Sequence, residues 1–420
     1  MHLLVKPYMF KFYIIAACIL TSFSTFAKNP IILISIDGFA HKYLTMYKPP
    51  FISSLSKDGV ISDGLKPVYP SKTFPNHISI VTGKYPAEHG IVHNKFYHRK
   101  LQENYKLGAG ANDNRWLTAE PIWTIAEKHG IKTGVYFWPE SEAKVSGIYP
   151  SYYFQYKHNT PNKDRLDKLV EWLKLPEPER PNLVITYFST VDSAGHKYGT
   201  TSVELQNAIK ELDALLASFF HRIEQETDLT PNILLVSDHG MVDIDSNVSI
   251  LTKTLLQPFP QLRIVNGETQ LYIYESNKNT LEQVKTHLTS VENSNHYKVY
   301  LAKDFPKHWQ FGDKKAGIPD MIVEAIPPSV FVKPDFQVGK GKLHKGTHGF
   351  DALGNNDLDA IFIAKGPNIN KGIVLPKFQN ILVFDLMVTL LELEREITPG
   401  LHDKEIVLFQ QIIKTKSEQN

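Results

Sequence analysis

Two apolar runs that each end in an aspartate constrain this chain more than any other feature. Ile31–Gly38 reads IILISIDG and Ile233–Met241 reads ILLVSDHGM. A near-continuous run of β-branched and aliphatic residues suits a parallel strand buried on both faces. Ligands of open α/β sheets sit just beyond the carboxyl ends of such strands. Asp37, Asp238 and His239 are therefore expected to meet at one sheet edge although they are far apart in the chain. A third stretch, Gly346–Asp351 (GTHGFD), adds His348. Carboxylates with imidazoles form the ligand set of a hard-to-borderline divalent metal, zinc being the usual one.

Further strand-like runs fall at Thr133–Trp138, Leu183–Phe188 and Ala360–Ala364. Helical periodicity lies between them. Leu166, Leu169, Val170 and Leu173 share one face, and so do Leu205, Ile209, Leu212, Leu216, Phe219 and Ile223. Strands alternating with helices imply a mostly parallel sheet sandwiched by helices. A last helix is expected over Val383–Leu393, ending near Pro399-Gly400. Residues 262–330 read differently, with strands at Gln270–Tyr274, Lys298–Leu301 and Met321–Ala325 and a helix at Thr280–Val291. They are expected to form a small α+β subdomain inserted in the catalytic domain, which spans residues 28–420. The polar end, Lys414–Asn420, is expected to fray.

The N-terminal residues have the pattern of an export signal. Lys6 and Lys11 precede the apolar run Phe12–Leu20, and Thr25-Phe26-Ala27 suits cleavage after Ala27. The run is shorter than a ~20-residue span, so no membrane span is expected in the mature form, which would be periplasmic or secreted. Cys18 is the single cysteine, which leaves the mature chain without a disulfide or a thiol ligand. Of the 46 Lys and Arg, two precede the cleavage point, leaving 44 against 44 Asp and Glu. That balance, with no basic block, argues against binding to a nucleic-acid polymer.

Three more segments carry chemistry-bearing residues, Pro70–Gly83 (PSKTFPNHISIVTG), His89–Tyr97 (HGIVHNKFY) and Asp192–Gly199 (DSAGHKYG), along with the tyrosines Tyr156 and Tyr187. Taken singly these are bland. Asp37-Gly38 alone reads as a turn, Thr73 as a helix N-cap, His348 as a loop residue and Asn94 as a turn asparagine. The ordered set is specific. From about Ile31 to Leu393 the chain resembles a bacterial member of the nucleotide pyrophosphatase/phosphodiesterase family of the alkaline phosphatase superfamily.

The resemblance implies an alkaline-phosphatase-like fold and two zinc ions. One would be held by Asp192, His196 and His348. The other would be held by Asp37, Asp238 and His239, with Thr73 as fourth ligand and nucleophile. It implies that Asn94 donates to a phosphate oxygen and that Phe74 and Tyr156 bracket a nucleobase. Tyr187 is a further pocket candidate, as well as a core one. His77, His89 and His93 are read as supporting or structural. A threonine hydroxyl needs activation, and metal coordination is one route. Two metals can hold the attacking and leaving oxygens of an in-line displacement. Thr73 is expected to open a helix with Pro75 in its first turn, and a helix N-terminus favours a phosphoryl anion.

The sulfatase pattern of Cys or Ser before x-Pro-x-Arg is absent. A threonine with a neutral asparagine suits a diester better than a dianionic monoester. The implied reaction cleaves phosphodiester or phosphoanhydride bonds of a small nucleotide, releasing a nucleoside 5′-monophosphate through a phosphothreonine intermediate. Many nucleotide-hydrolysing members carry acidic residues and a proline just before the metal aspartate, where this chain has Ser189-Thr190-Val191. A choline-type headgroup phosphodiesterase therefore stays open as an alternative, as does a phosphonate or phosphomonoester hydrolase.

Overall fold

The computed structural model describes residues 29–291, 294–312, 316–333, 344–393 and 403–414. The leader with Cys18, the Pro399-Gly400 pair and most of the polar end lie outside the described residues. Lys414 is described, and its N–H donates to the Asn368 carbonyl at 3.0 Å.

Eight strands form the main sheet. Their order is Ile373–Leu375, Val60–Ser62, Phe362–Lys365, Asn232–Val236, Ile31–Ile36, Leu183–Phe188, Thr133–Tyr136 and Tyr152–Phe154. All neighbours pair in parallel except Phe362–Lys365, which runs antiparallel to both of its partners. Every residue of the three central strands is buried, as their unbroken apolar sequence requires of strands covered on both faces. The sheet is thus mostly parallel and lies between helices, an alkaline-phosphatase-like architecture.

The helices form two packed groups. Asn162–Leu173 and Pro50–Lys57 pack on Val203–Glu226, while Leu382–Leu390 packs on Thr73–Thr82 and Ile122–Lys128. The long Val203–Glu226 helix starts at Ser202, whose hydroxyl accepts from the Leu205 N–H at 3.2 Å, satisfying one orphan donor of the first turn. All of the periodic residues from Leu205 to Ile223 are buried, joined by Asp213 and Phe220.

A second sheet is antiparallel throughout, with the order Arg263–Asn266, Gln270–Tyr274, Met321–Ala325 and Tyr297–Leu301. Helix Lys278–Ser290 packs with Leu271, Ile273 and Val323 in one apolar cluster. Tyr272 and Ile322, alternating to the opposite face, join a cluster with Tyr69, Ile78, Phe96 and Trp309. The four-stranded sheet therefore stands against the segment that precedes and follows Thr73. Among the described residues no helix is long and apolar enough to cross a membrane.

Candidate active site

The three central strands are adjacent and parallel, in the register Ser35 beside Tyr187 on one side and Val236 on the other. Their carboxyl ends deliver Asp37 directly after Ile36, and Asp238 and His239 just after Val236. Leu183–Phe188 leads into helix Thr190–Tyr198, which carries Asp192 and His196 in successive turns. Gly38 has φ of +68°, and a Cβ there would meet Asp192 Cα and Cβ at 3.0 Å. A side chain at position 38 would push the two aspartates apart.

Two groups of converging ligand atoms result. Asp37, Asp238 and His239 form one, and Asp192, His239 and His348 the other; within each group the ligand atoms lie within 4.8 Å of one another. His239 belongs to both, and its ring stacks on that of His348 with centroids 3.5 Å apart. His196 stands beside them, its Nε2 3.4 Å from Asp192 Oδ1 and its ring 5.0 Å from that of His348. The grouping expected from sequence placed His196 with Asp192 and His348. The structure brings all three into one neighbourhood, with His196 Nε2 3.4 Å and His348 Nε2 3.6 Å from Asp192 Oδ1, and His239 converges there as well.

The donor atoms suit a divalent cation. Asp37 Oδ1, Asp192 Oδ1 and Asp238 Oδ2 are buried without a hydrogen-bond partner, one oxygen from each acid. Each imidazole is tied by Nδ1 to a backbone carbonyl: His196 to Gly346, His239 to Gly240 and His348 to Ser71, all at 2.8 Å. A carbonyl only accepts, so Nδ1 carries the proton and Nε2 keeps its lone pair for the centre, the usual arrangement of a ligating histidine. Burial, and then the charges of Asp238 and Asp192, push the Asp37 carboxyl well above its ordinary range. A cation among the three acids would relieve that repulsion.

Thr73 opens helix Thr73–Thr82, with Pro75 in the first turn. Its Oγ1 lies 3.4 Å from His239 Nε2, which places the hydroxyl at the edge of the cluster. Asn94 Oδ1 accepts from the Phe74 N–H at 3.0 Å. That bond orients the amide, leaving its NH2 as the donor end. Both residues, with Asp37, Asp192, His196 and His348, line a cavity of about 470 Å³. Phe74 and Tyr156 line the same cavity, and Tyr156 is 45% exposed. Tyr187 also lines it, but its hydroxyl donates to Asp37 Oδ2 at 2.6 Å, so it supports an acid of the cluster as well as forming a wall.

Other residues support the cluster, among them His77, read from sequence as supporting or structural, and two residues that sequence reading did not single out, Lys72 and Glu140. His77 Nδ1 lies 2.9 Å from the Thr73 carbonyl and 3.4 Å from Asp238 Oδ2, while Nε2 meets Ser35 Oγ at 2.8 Å. It links the start of the Thr73 helix to the sheet edge. Lys72, inside the quoted PSKTFPNH motif, is buried with Nζ 3.7 Å from Glu268. Glu140 sits in the cavity wall at φ +63° and accepts from the Tyr105 hydroxyl; burial pushes its carboxyl up to about 7. Leu107, Gly108 and Ala111 complete the wall. Nothing in local sequence marks Glu140 or that loop.

Fold and site together define an alkaline-phosphatase-like hydrolase scaffold with acid–imidazole clusters at the carboxyl edge of its sheet. The chain belongs to the type I phosphodiesterase/nucleotide pyrophosphatase family, whose model matches residues 31–351. It is 32% identical over 394 residues to human ectonucleotide pyrophosphatase/phosphodiesterase family member 1, covering 90% of this chain and 41% of that protein. A venom phosphodiesterase of Naja atra is also 32% identical over 394 residues, covering 90% of this chain and 46% of the relative. The chain thus spans less than half the length of these curated relatives. Among solved structures, human ectonucleotide pyrophosphatase/phosphodiesterase 5 superposes with a TM-score of 0.80 at 25% identity, covering 88% of this chain and 97% of that one. The murine protein, in an inactive form in complex with AMP, has a TM-score of 0.80 at 23% identity, covering 88% and 96%, a likeness of fold.

Proposed function

We infer that this chain is a two-zinc phosphodiesterase and nucleotide pyrophosphatase that transfers a nucleotidyl group to Thr73 and then to water. The observation that carries this reading is the position of Thr73 Oγ1, at a helix N-terminus, 3.4 Å from His239 Nε2 and on the wall of the cavity. The residues that would hold the metals are Asp37, Asp238, His239 and Thr73 at one position and Asp192, His196 and His348 at the other. When bound, the ions would acidify the threonine hydroxyl and take up charge developing on the phosphoryl oxygens.

The side chains divide the remaining work. Thr73 Oγ forms a bond to phosphorus as the bond from phosphorus to the leaving oxygen breaks, giving a phosphothreonine-linked nucleoside. Water then cleaves that link and releases the nucleoside 5′-monophosphate, and Thr73 regains its proton. The Asn94 NH2 donates to a nonbridging oxygen, matching the single charge of a diester. The N-terminus of helix Thr73–Thr82 favours the same anion. Phe74 and Tyr156, facing the cavity, give a base two aromatic surfaces.

The phosphodiesterase and pyrophosphatase relatives support this reading, as does the AMP held by the murine protein. One observation favours a second substrate. Glu140 and Glu142 line the cavity with the aromatic rings, and aromatic faces with a carboxylate also suit a quaternary ammonium. Nitrophenyl esters of thymidine monophosphate, of phosphocholine and of phosphate separate the options. The nucleotide diester is expected to turn over best; a preference for phosphocholine moves the chain to headgroup diesters, and a preference for the monoester overturns the diesterase reading.

Two further parts of the proposal rest on sequence. Residues 262–330 are taken as an inserted α+β subdomain. Export to the periplasm or the exterior follows from the Lys6, Lys11 and Ala27 pattern.

A further inference from the structure

The turn between strands Arg263–Asn266 and Gln270–Tyr274 carries an anomaly. Glu268 has φ of +75°, a left-handed conformation that disfavours a side chain. Glycine is the ordinary residue there, and Gly267 immediately precedes it. Local strain of this kind persists where surrounding structure holds it, and it gathers at functional sites.

The carboxylate explains what the conformation achieves. Glu268 Oε2 accepts from the Thr347 hydroxyl at 3.0 Å and lies 3.7 Å from Lys72 Nζ. Oε1 lies 3.6 Å from His344 Nδ1. Thr347 directly precedes His348, and Lys72 directly precedes Thr73. The backbone is pinned as well: the Glu268 N–H donates to Asn266 Oδ1 at 2.7 Å, and its carbonyl accepts from the Phe331 N–H at 2.7 Å. Space for the lysine is provided by Gly349, where a Cβ would meet Lys72 Cε at 2.2 Å. One acid from the four-stranded sheet therefore touches the neighbours of two centre residues that arrive from distant parts of the chain.

We propose that Glu268 is a positioning residue for the phosphoryl-transfer site, holding Thr73 and His348 in register through Lys72 and Thr347. The inference rests on the functional reading above. Burial would raise the Glu268 carboxyl, but His344 and Lys72 hold it down to about 2, so it presents a full charge to both partners. The buried Lys72 ammonium has that carboxylate as an ion-pair partner, 3.7 Å away. Removing the carboxylate at position 268 takes away the contact that ties Lys72, and with it the start of the Thr73 helix, to the four-stranded sheet.

The test compares Glu268→Gln, Glu268→Gly and Glu268→Asp with the wild-type chain. Four quantities are read: melting temperature, kcat, KM for the nitrophenyl nucleotide diester, and zinc retained against a graded chelator. Glutamine keeps the shape and removes the charge; glycine removes the carboxylate and relaxes the backbone; aspartate keeps the charge. Glutamine and glycine are expected to lower kcat about 10–100-fold, the range for groups that orient metal ligands. KM should stay within about threefold, zinc should be lost at about tenfold less chelator, and aspartate should recover part of both. Wild-type kcat and wild-type zinc retention in the folded glutamine variant overturn the inference, whatever the glycine variant does. A drop in melting temperature that alone accounts for the lost activity, with zinc retention unchanged, also overturns it. If the wild-type chain turns over no diester, the functional reading fails, and zinc retention alone judges Glu268.

Discussion

The Tyr187 hydroxyl donates to Asp37 Oδ2 at 2.6 Å, across the boundary between two adjacent parallel strands. Ser35 and Tyr187 are direct partners in the register, so the ring rises from the neighbouring strand to reach an acid two residues on. The bond occupies one Asp37 oxygen and leaves Oδ1 as the atom without a partner. Tyr187 thereby decides which oxygen faces the cluster.

Removing that bond should weaken the centre while sparing the fold. Tyr187→Phe keeps the buried ring and loses only the hydroxyl. Zinc affinity or kcat should fall about tenfold or more, as for other groups that orient ligands, with little change in melting temperature. Chelator titration and steady-state kinetics measure both. Unchanged zinc retention would make the hydroxyl incidental.

Metal analysis addresses the cluster itself. About two zinc ions per chain are expected, since two groups of acid and imidazole atoms converge here. Chelation should abolish turnover and zinc should restore it. His348→Ala should affect retention more than His196→Ala, because His348 is buried and stacks on His239, which belongs to both clusters, while His196 is part-exposed. Full activity in metal-free protein would contradict the assignment.

Tyr156 tests the substrate. Its side chain is exposed at the cavity mouth, so Tyr156→Ala should fold normally. Stacking on an aromatic contributes about 1–3 kcal/mol per base, so KM for nucleotide diesters should rise roughly tenfold. A small nitrophenyl diester without a base should be almost unaffected. Equal losses on both substrates would assign the ring a structural role.

A buried acid sets the pH dependence of stability. Burial pushes the Glu324 carboxyl up to about 8, against the Tyr69, Gln270 and Asp351 donors that pull it down. The folded chain therefore holds this proton where the unfolded chain, at about 4.3, has released it. The stabilisation is complete below the unfolded value and is lost as pH rises through the folded one. Melting temperature should fall between pH 5 and pH 8, and Glu324→Gln, which cannot ionise, should flatten that slope. An identical slope in the variant would remove Glu324 from the account.

Much of the fold is legible along the chain, for reasons visible in particular elements. Ile31–Ile36 and Leu183–Phe188 match their apolar runs residue for residue, because each is buried throughout. Val60–Ser62, Tyr152–Phe154 and Ile373–Leu375 span three residues each, too short for a period to register. Helix Asp403–Ile412 carries no motif to announce it. The acids and imidazoles of the cluster stand in recognisable motifs because strand ends and helix starts deliver them. Glu268 and Glu140 are different. Their positions depend on left-handed backbone conformations and on partners far away in sequence, information that no local pattern contains.

The central claim is covalent chemistry at Thr73, and acid quenching during turnover tests it most directly. Wild-type protein mixed with a nitrophenyl nucleotide diester, quenched within the first turnovers and digested, should yield the Thr73 peptide bearing a nucleoside phosphate by mass spectrometry. Thr73→Ala, assayed with zinc in excess, should show no adduct and no turnover, and Thr73→Ser should keep partial activity and form the adduct on serine. An active Thr73→Ala variant with two metals bound would contradict the account.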